Sequence, residues 1–456
     1  MKKRVGLALG VALAALIWLI PFEGLPREGR LCLALTAMTV TFWSFQVAHP
    51  GYVSGLFLAL LVVLGVDTPS VIFHSWTGAT MYLIIGAYLI ASAVRQSGLG
   101  ERIAYHIILQ FVRGFKSVIV LIFALTLLLS AIIPHPWPRA FLIMSVMAVL
   151  IQMAGVNKND AVIIGFSVFA SAVPLSLVFL TGDSVINPLV LASSASSIGW
   201  LDWAFIMGPP ALAVGAMTCA LILLLFKPKE KLRLDKTAIR EKLSQMGSLS
   251  QREKRVIFWL VIAAALWVTD SIHGINIGWI TLIIPMLMSL PVVGGALGQE
   301  DWKEIPVHVL LFITAAIAIG TVGASTGMNE WLALRLLPEA VPQNPYMLAL
   351  IVAAASIGLH MLMGSVIAVI GIAVPALLAY IAPMGIAPLV SALWVYTAVG
   401  CHYILPYQHL NMLVGQGENA GLYSQRETIK MGIPLIAVVF AAVLLETAWW
   451  DVIGLI

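Results

Sequence analysis

Of the 456 residues, 61% are hydrophobic and only 10% are charged, against roughly a quarter charged in an ordinary soluble domain. No soluble core hides that much apolar surface, so the chain reads as a membrane protein whose surroundings are lipid. The net charge of +4 suggests no nucleic-acid partner and serves as a signal of topology.

A helix crosses the hydrocarbon with about 20 mostly apolar residues. Eleven runs are expected to do so: 5–22, 31–47, 52–66, 73–94, 160–180, 203–226, 256–271, 275–293, 305–326, 388–405 and 432–450. Their unbroken apolar character excludes a transmembrane β-barrel, whose strands alternate. The opening Met-Lys-Lys-Arg before an apolar stretch has the form of a signal peptide, but ten further spans make a retained first helix the better reading. The cysteines Cys32, Cys219 and Cys401 are odd in number, which argues against a disulfide framework, and they read as buried thiols.

Charge sets the orientation. Lys2, Lys3 and Arg4 precede the first span, and residues 227–255 carry ten Lys and Arg against four acids. Both belong in the cytoplasm by the positive-inside tendency, and the six spans between them agree. Five more spans place the C-terminus outside. The expected site is the cell (inner) membrane, crossed many times, with 227–255 as a solvated cytoplasmic linker between an N-terminal half, 1–226, and a C-terminal half, 256–456.

Two long apolar runs, 117–155 and 346–382, are interrupted near their middles and read as re-entrant hairpins. The first carries "IIPHPWPRAF", with Pro134, Pro136 and Pro138. Proline lacks an N–H and clashes with the preceding turn, so no helix runs through all three. The halves share an order of features. "VRQSGLGERIAYHII", the hairpin and a span broken at "TGDSVINP" are matched by "GASTGMNEWLALRL", a hairpin at "HMLMGSVIAV" and a span broken at "LPYQHLN". His135 and Asn187 lie 52 residues apart, Ser365 and Asn411 46. The fold expected is all-α, with two inverted repeats, about eleven spans and two re-entrant hairpins. Inverted repeats with discontinuous helices are the sequence signature of secondary transporters.

Irregular chain at membrane depth must line a polar cavity or be buried in protein. Helix N-termini at a hairpin tip favour an anion, and carbonyls at opposing ends favour a cation. A substrate anion therefore has candidate contacts in His135, Trp137, Arg139, Gly364, Ser365, Thr181, Gln408 and Asn411. Arg139 stands out, because an arginine at depth faces a cavity or a partner and is suited to clamp a carboxylate or sulfate; the alternatives are an ion pair with Asp183 or a snorkelling position. Asp183, Ser184 and Asn187 suit a coupling Na⁺ or proton, although Asp183 also fits a helix cap and Asn187, Ser184 and Thr181 are ordinary turn residues. His135 has a side chain that titrates near neutrality. Trp137 fits a gating wedge as well as a contact, Pro406 breaks the second span, and His308, His360 and His402 are read as structural.

This order of motifs resembles the divalent anion/sodium symporter family, of the ion transporter superfamily, over about residues 50–420. "SGLGERIA" is similar to a recurrent phrase of that family, and "TGDSVINP" and "LPYQHLN" to its two broken-helix loops. The resemblance implies a secondary active transporter of a small anion, a di- or tricarboxylate or sulfate-like ion. Cation-coupled symport or anion exchange would proceed by alternating access, with Na⁺ as the family's coupling ion and a homodimer as its assembly. The family's hairpin tips carry Ser-Asn-Thr, some with a following Ala-Arg. Here only Pro134 and Arg139 match at the first tip and Ser365 and Ala368 at the second, so this is a divergent member.

Other classes fit less well. A membrane enzyme lacks its motif, since no His-Glu-x-x-His is present, and no phosphate-binding loop indicates ATP use: "GASTG" is not followed by lysine. No resident cofactor is indicated. A channel or a transport-derived sensor remains a third class. The alternative among carriers is a cation/proton antiporter or a metalloid-oxyanion exporter of the same superfamily.

Overall fold

The computed structural model describes residues 2–230, 237–336, 342–381, 385–405, 408–418 and 420–456. Pro406 lies outside these, as do residues 231–236 of the linker and residue 382 at the end of the second hairpin. Among the described residues every regular element is a helix, as the continuous apolar runs require.

The helices follow the sequence pattern closely. Three of them, Lys2–Leu19, Arg27–Ser44 and Pro50–Val63, open the chain, and Gln251–Val268 and Ile277–Ser289 open its second half. After each group the same order recurs. A span bends into a shorter helix, at Thr80–Ser97 and Leu99–Phe111, then at Val307–Ser325 and Met328–Leu336. The first bend is 62°. Both turn on a glycine of positive φ, Gly98 at 80° and Gly327 at 74°, a conformation that other residues adopt only at a cost of about 1–2 kcal/mol. Next come the hairpins, Phe115–Ser130 with Pro136–Met153 and Pro345–Met363 with Val366–Ile381. A broken helix follows each: Lys158–Leu175 resumes at Ile186–Ser193, and Pro388–Gly400 at Leu410–Val414. Long helices Trp200–Leu225 and Gln425–Val452 close the two halves and pack on each other.

Packing exchanges partners between the halves. Thr80–Ser97 lies against Ile277–Ser289, and its counterpart Val307–Ser325 lies against Pro50–Val63. At the first of these contacts a Cβ on Gly86 would collide with the Thr281 carbonyl, so the close crossing depends on the missing side chain.

One expectation changes in detail. Among the described residues six helices are long and apolar enough to cross alone, seven with the bent pair. They include Pro136–Met153 and Pro345–Met363, arms of the runs set apart as re-entrant. The reason is where the turns fall: leaving the tips at 131–135 and 364–365 gives one arm of each hairpin 18 or 19 residues, about 27 Å at 1.5 Å per residue. Pro50–Val63, Ile277–Ser289 and Pro388–Gly400 are shorter apolar helices.

The three prolines of "PHPWPR" now have a physical account. His135 is the N-cap of Pro136–Met153, with its Nδ1 accepting from the Trp137 N–H at 3.2 Å. Pro136 and Pro138 fall in the first turn, where N–H groups have no intrahelical partner. The motif starts a helix; it does not interrupt one.

Candidate functional site

Both hairpin tips and both helix breaks meet at one cavity of about 520 Å³. His135 and Trp137 reach it from the first tip, Gly364, Ser365 and Val366 from the second, Asp183 and Ile186 from the first break, and Gln408, His409 and Asn411 from the second. Tyr88, Phe312, Lys3, His49 and His308 also line it, with the rings of His49 and His308 4.8 Å apart. Much of the lining is apolar.

Three helices of eight residues or more begin at this cavity: Pro136–Met153, Ile186–Ser193 and Val366–Ile381. Each start presents the positive end of a helix dipole, although the first-turn N–H groups of Pro136–Met153 and Ile186–Ser193 are replaced by proline or already held by His135 and Asp183. The second tip is made by Gly364, whose φ of 63° ends Pro345–Met363. Ser365 Oγ then accepts from the Ala368 N–H at 3.3 Å. Asn411 adds an independent signal, for its side-chain NH₂ is buried at the cavity with no protein partner. An unsatisfied buried donor calls for an acceptor.

The carboxylate of Asp183 caps Ile186–Ser193, with Oδ1 accepting from Val185 N–H at 2.9 Å and Ile186 N–H at 3.0 Å. Among the described residues the ion pairs lie elsewhere, so Asp183 and Arg139 are not joined as a pair. Arg139 is fully buried and is not among the cavity-lining residues. Its Nη1 donates to the carbonyls of Ile133 and Gly182, both at 3.1 Å, and Nη2 donates to Ser176 Oγ at 2.6 Å. The guanidinium thus ties the first tip to the first break. A further strand of that tie is the Ser184 N–H donating to the Pro134 carbonyl at 3.2 Å.

Asn187 also faces protein. Its NH₂ donates to the carbonyls of Ser176, Phe179 and Leu180 at 3.0, 3.0 and 3.2 Å. Those carbonyls belong to the stretch between Lys158–Leu175 and Ile186–Ser193, so the amide holds the break in place. Thr181 Oγ1 accepts from Trp200 Nε1 at 3.0 Å, and Ser184 Oγ is buried without a partner. Gln408 lines the cavity, but its Oε1 accepts from the N–H groups of Ile404 and Leu405, both at 2.7 Å, which braces the second break. The structure therefore brings His135, Trp137, Asp183, Gly364, Ser365, Gln408 and Asn411 to the cavity, with Arg139, Thr181, Ser184 and Asn187 in the layer behind it.

Sequence reasoning counted His409 only as a polar group of "LPYQHLN" and passed over Tyr88 and Glu446. His409 repeats the role of His135, since its Nδ1 accepts from Asn411 N–H at 3.3 Å. The Tyr88 hydroxyl meets His135 Nε2 at 2.7 Å. Glu446 is fully buried in Gln425–Val452, where one oxygen accepts from Thr397 Oγ1 at 2.6 Å. A lone acid inside an apolar run was the signal that pointed to it.

Comparison with known proteins agrees with this architecture. The chain is similar to a membrane protein of Cupriavidus necator, 23% identical over 483 residues that cover 98% of this chain and 93% of that one. It is 27% identical to the chloroplastic dicarboxylate transporter 1 of Arabidopsis thaliana, over 71% of this chain and 60% of the relative. The sodium-dependent dicarboxylate transporter SdcS of Staphylococcus saprophyticus is 23% identical over 88% and 83% of the two chains. Among solved structures, the YdaH transporter of Alcanivorax borkumensis superposes with a TM-score of 0.56 at 15% identity, covering 89% of this chain and 99% of its own. The profile of the sodium:sulfate symporter transmembrane region matches residues 1–456. The chain belongs to the sodium:sulfate symporter transmembrane family, whose members are transporters and not enzymes.

Proposed function

We propose that this protein is a secondary transporter of a small dianion, a dicarboxylate first and sulfate next, which binds in the cavity between the two hairpin tips. The observation that carries the reading is the convergence of three helix N-termini with the unpartnered Asn411 amide. A helix terminus favours an anion by about 0.3–1 kcal/mol, more where partly buried; that of Ile186–Ser193 already holds the Asp183 carboxylate. His135, Trp137, Gly364, Ser365 and Asn411 are assigned to the substrate. Arg139, Thr181, Gln408 and Asn187 are assigned to holding the breaks and tips in place. Asp183 and Ser184 stand nearest to a coupling cation, Na⁺ or a proton. The two halves act as inverted repeats, and transport moves the hairpin-bearing parts past their scaffold.

Placement in the cell membrane with the N-terminus inside and the C-terminus outside is supported by the basic residues. Arg95 pairs with Glu304, Arg102 with Glu253 at the end of the linker, and Asp160, beside Lys158, accepts from the N–H groups of Lys229 and Glu230. These contacts gather the basic segments on one face. Lys3 and His308, near Glu304 in sequence, put the cavity's polar end on that face too, which corresponds to an inward-facing arrangement. A homodimer rests on the family resemblance, and its test is the mass of the purified protein in detergent.

The deciding experiment is counterflow of labelled succinate into proteoliposomes preloaded with unlabelled succinate, with Na⁺ present or replaced by choline. Counterflow is expected. Its absence from folded protein would remove dicarboxylates, and sulfate would be tried next.

A further inference from the structure

Behind the second break lies a buried pair of imidazoles. His360, near the end of the arm Pro345–Met363, places Nε2 2.9 Å from the Gln408 carbonyl and Nδ1 3.2 Å from Nδ1 of His402. Both rings are fully buried, and His402 Nε2 has no partner.

These contacts fix the protons. A carbonyl only accepts, so His360 carries hydrogen on Nε2 and, when neutral, a bare Nδ1. His402 must then donate from Nδ1, which leaves its Nε2 a bare lone pair facing no donor. The pair can therefore take one further proton, at His402 Nε2, without losing a hydrogen bond. The buried histidines that line the cavity cannot. His135 Nδ1 accepts from Trp137 N–H and its Nε2 meets the Tyr88 hydroxyl, while His409 Nδ1 accepts from Asn411 N–H and its Nε2 donates to the Gly400 carbonyl at 3.1 Å. Protonating either at Nδ1 would break a helix cap.

Position gives the proton a consequence. His402 lies in the break that supplies Gln408, His409 and Asn411 to the cavity, and His360 lies four residues before Gly364 at the tip. The pair joins the hairpin arm to the break of the second half, and charge on it adds a positive group behind an anion site. Other titratable or charged groups lie on the elements packed here. Glu446 accepts from Thr397 Oγ1 through one oxygen and has Oε1 buried without a partner, which makes it the competing proton site, and Lys430 stands over the Phe226 ring at 4.5 Å. Glu427 caps its helix from below Ser424, Arg426 lies in the same exposed first turn, Cys401 is a free thiol and the Tyr403 hydroxyl is buried without a partner.

We infer that the His360–His402 pair is the proton-coupling site of this transporter, with the proton binding His402 Nε2 from one side of the membrane alongside the anion and leaving from the same nitrogen to the other side. This rests on the anion-transport reading, names its coupling ion as a proton, and places that proton here and not on Asp183, whose carboxylate is held as a helix cap.

The test uses full-length protein in Na⁺-free proteoliposomes and labelled succinate as probe. Wild type is expected to accumulate succinate on an outside-acid pH gradient. His402→Asn keeps an N–H for His360 but has no titratable nitrogen; it is expected to lose that accumulation and to go on binding succinate, since the anion site itself is untouched. His360→Gln keeps the donor to Gln408 and leaves His402 titratable, so accumulation should survive. Gradient-driven accumulation undiminished in His402→Asn, or accumulation by wild type on a Na⁺ gradient only, overturns the inference. Absence of counterflow in wild type would instead strike the substrate reading. In that case, or if His402→Asn does not fold, ¹⁵N-histidine spectra of the wild type decide: a buried ring in the Nδ1–H form that gains a proton reversibly on acidification is expected, and none overturns the site.

Discussion

The hydroxyl of Tyr396 donates to Asn187 Oδ1 across 2.5 Å, joining the resumed helix of the first half to the span that precedes the second break. Both side chains are buried. Because the Asn187 NH₂ holds the carbonyls of Ser176, Phe179 and Leu180, one residue organises the unwound stretch and anchors it across the halves. Tyr396→Phe removes one bond and leaves an acceptor unmet, an expected loss of about 1–3 kcal/mol. Asn187→Leu strips three carbonyls of a donor and should lower the melting temperature further than Tyr396→Phe. Thermal unfolding in detergent compares the two, and equal losses would show that the carbonyl contacts contribute nothing.

Arg139 gives a second prediction. Its bonds to Ile133, Gly182 and Ser176 are charge-assisted and buried, each worth about 1.5–3 kcal/mol. Arg139→Gln is expected to reduce the yield of folded protein and its melting temperature. In the fraction that folds, succinate affinity should stay close to wild type. Binding measured by calorimetry checks this; a loss of affinity without a loss of stability would return the guanidinium to the substrate.

The sequence showed where the chain breaks, because proline and polar residues inside apolar runs leave few other solutions. It could not show where Arg139 turns. The cost of burying an arginine demands a partner, and an anion in the cavity meets that demand as well as three protein oxygens do; only the fold reveals that the break frees a carbonyl at Gly182 within reach. His360 and His402, 42 residues apart in the chain, read singly as structural, since nothing local says that they touch. The hairpin arms were harder for another reason: composition marks a run as interrupted, but the length of each arm depends on whether the prolines end a helix or begin one.

Asn411 and Gln408 separate binding from bracing. The Asn411 NH₂ has no protein acceptor, so Asn411→Leu should leave the melting temperature nearly unchanged and raise the KM for succinate by about tenfold to a hundredfold, as for a hydrogen bond to a charged group of about 1.5–3 kcal/mol. Gln408→Leu abandons the N–H groups of Ile404 and Leu405 and should lower stability first. Transport kinetics and unfolding on the same preparations test the contrast. Identical profiles for the two variants would end the assignment of Asn411 to substrate.

The linker offers the last test. Arg102, in Leu99–Phe111, donates Nε to Glu253 Oε1 at 2.6 Å and also holds the carbonyls of Met246 and Gly247 at 3.1 and 2.8 Å. Glu253 sits in the polar first turn of Gln251–Val268, ahead of its apolar stretch, and accepts from Ser250 N–H at 2.7 Å as part of a capping box. The Arg102 hydrogen bond holds the Glu253 carboxyl below its ordinary range, against the opposing effect of burial. A carboxyl lowered in the folded state contributes stability that is present above its unfolded pKa, about 4.3, and is lost as pH falls through the folded value. The melting temperature of wild type should therefore fall on acidification below that range. Glu253→Gln should start lower by about 1–3 kcal/mol and fall less steeply there. Melting curves across acid pH decide it, and parallel acid limbs for the two proteins would show that another carboxyl sets the decline.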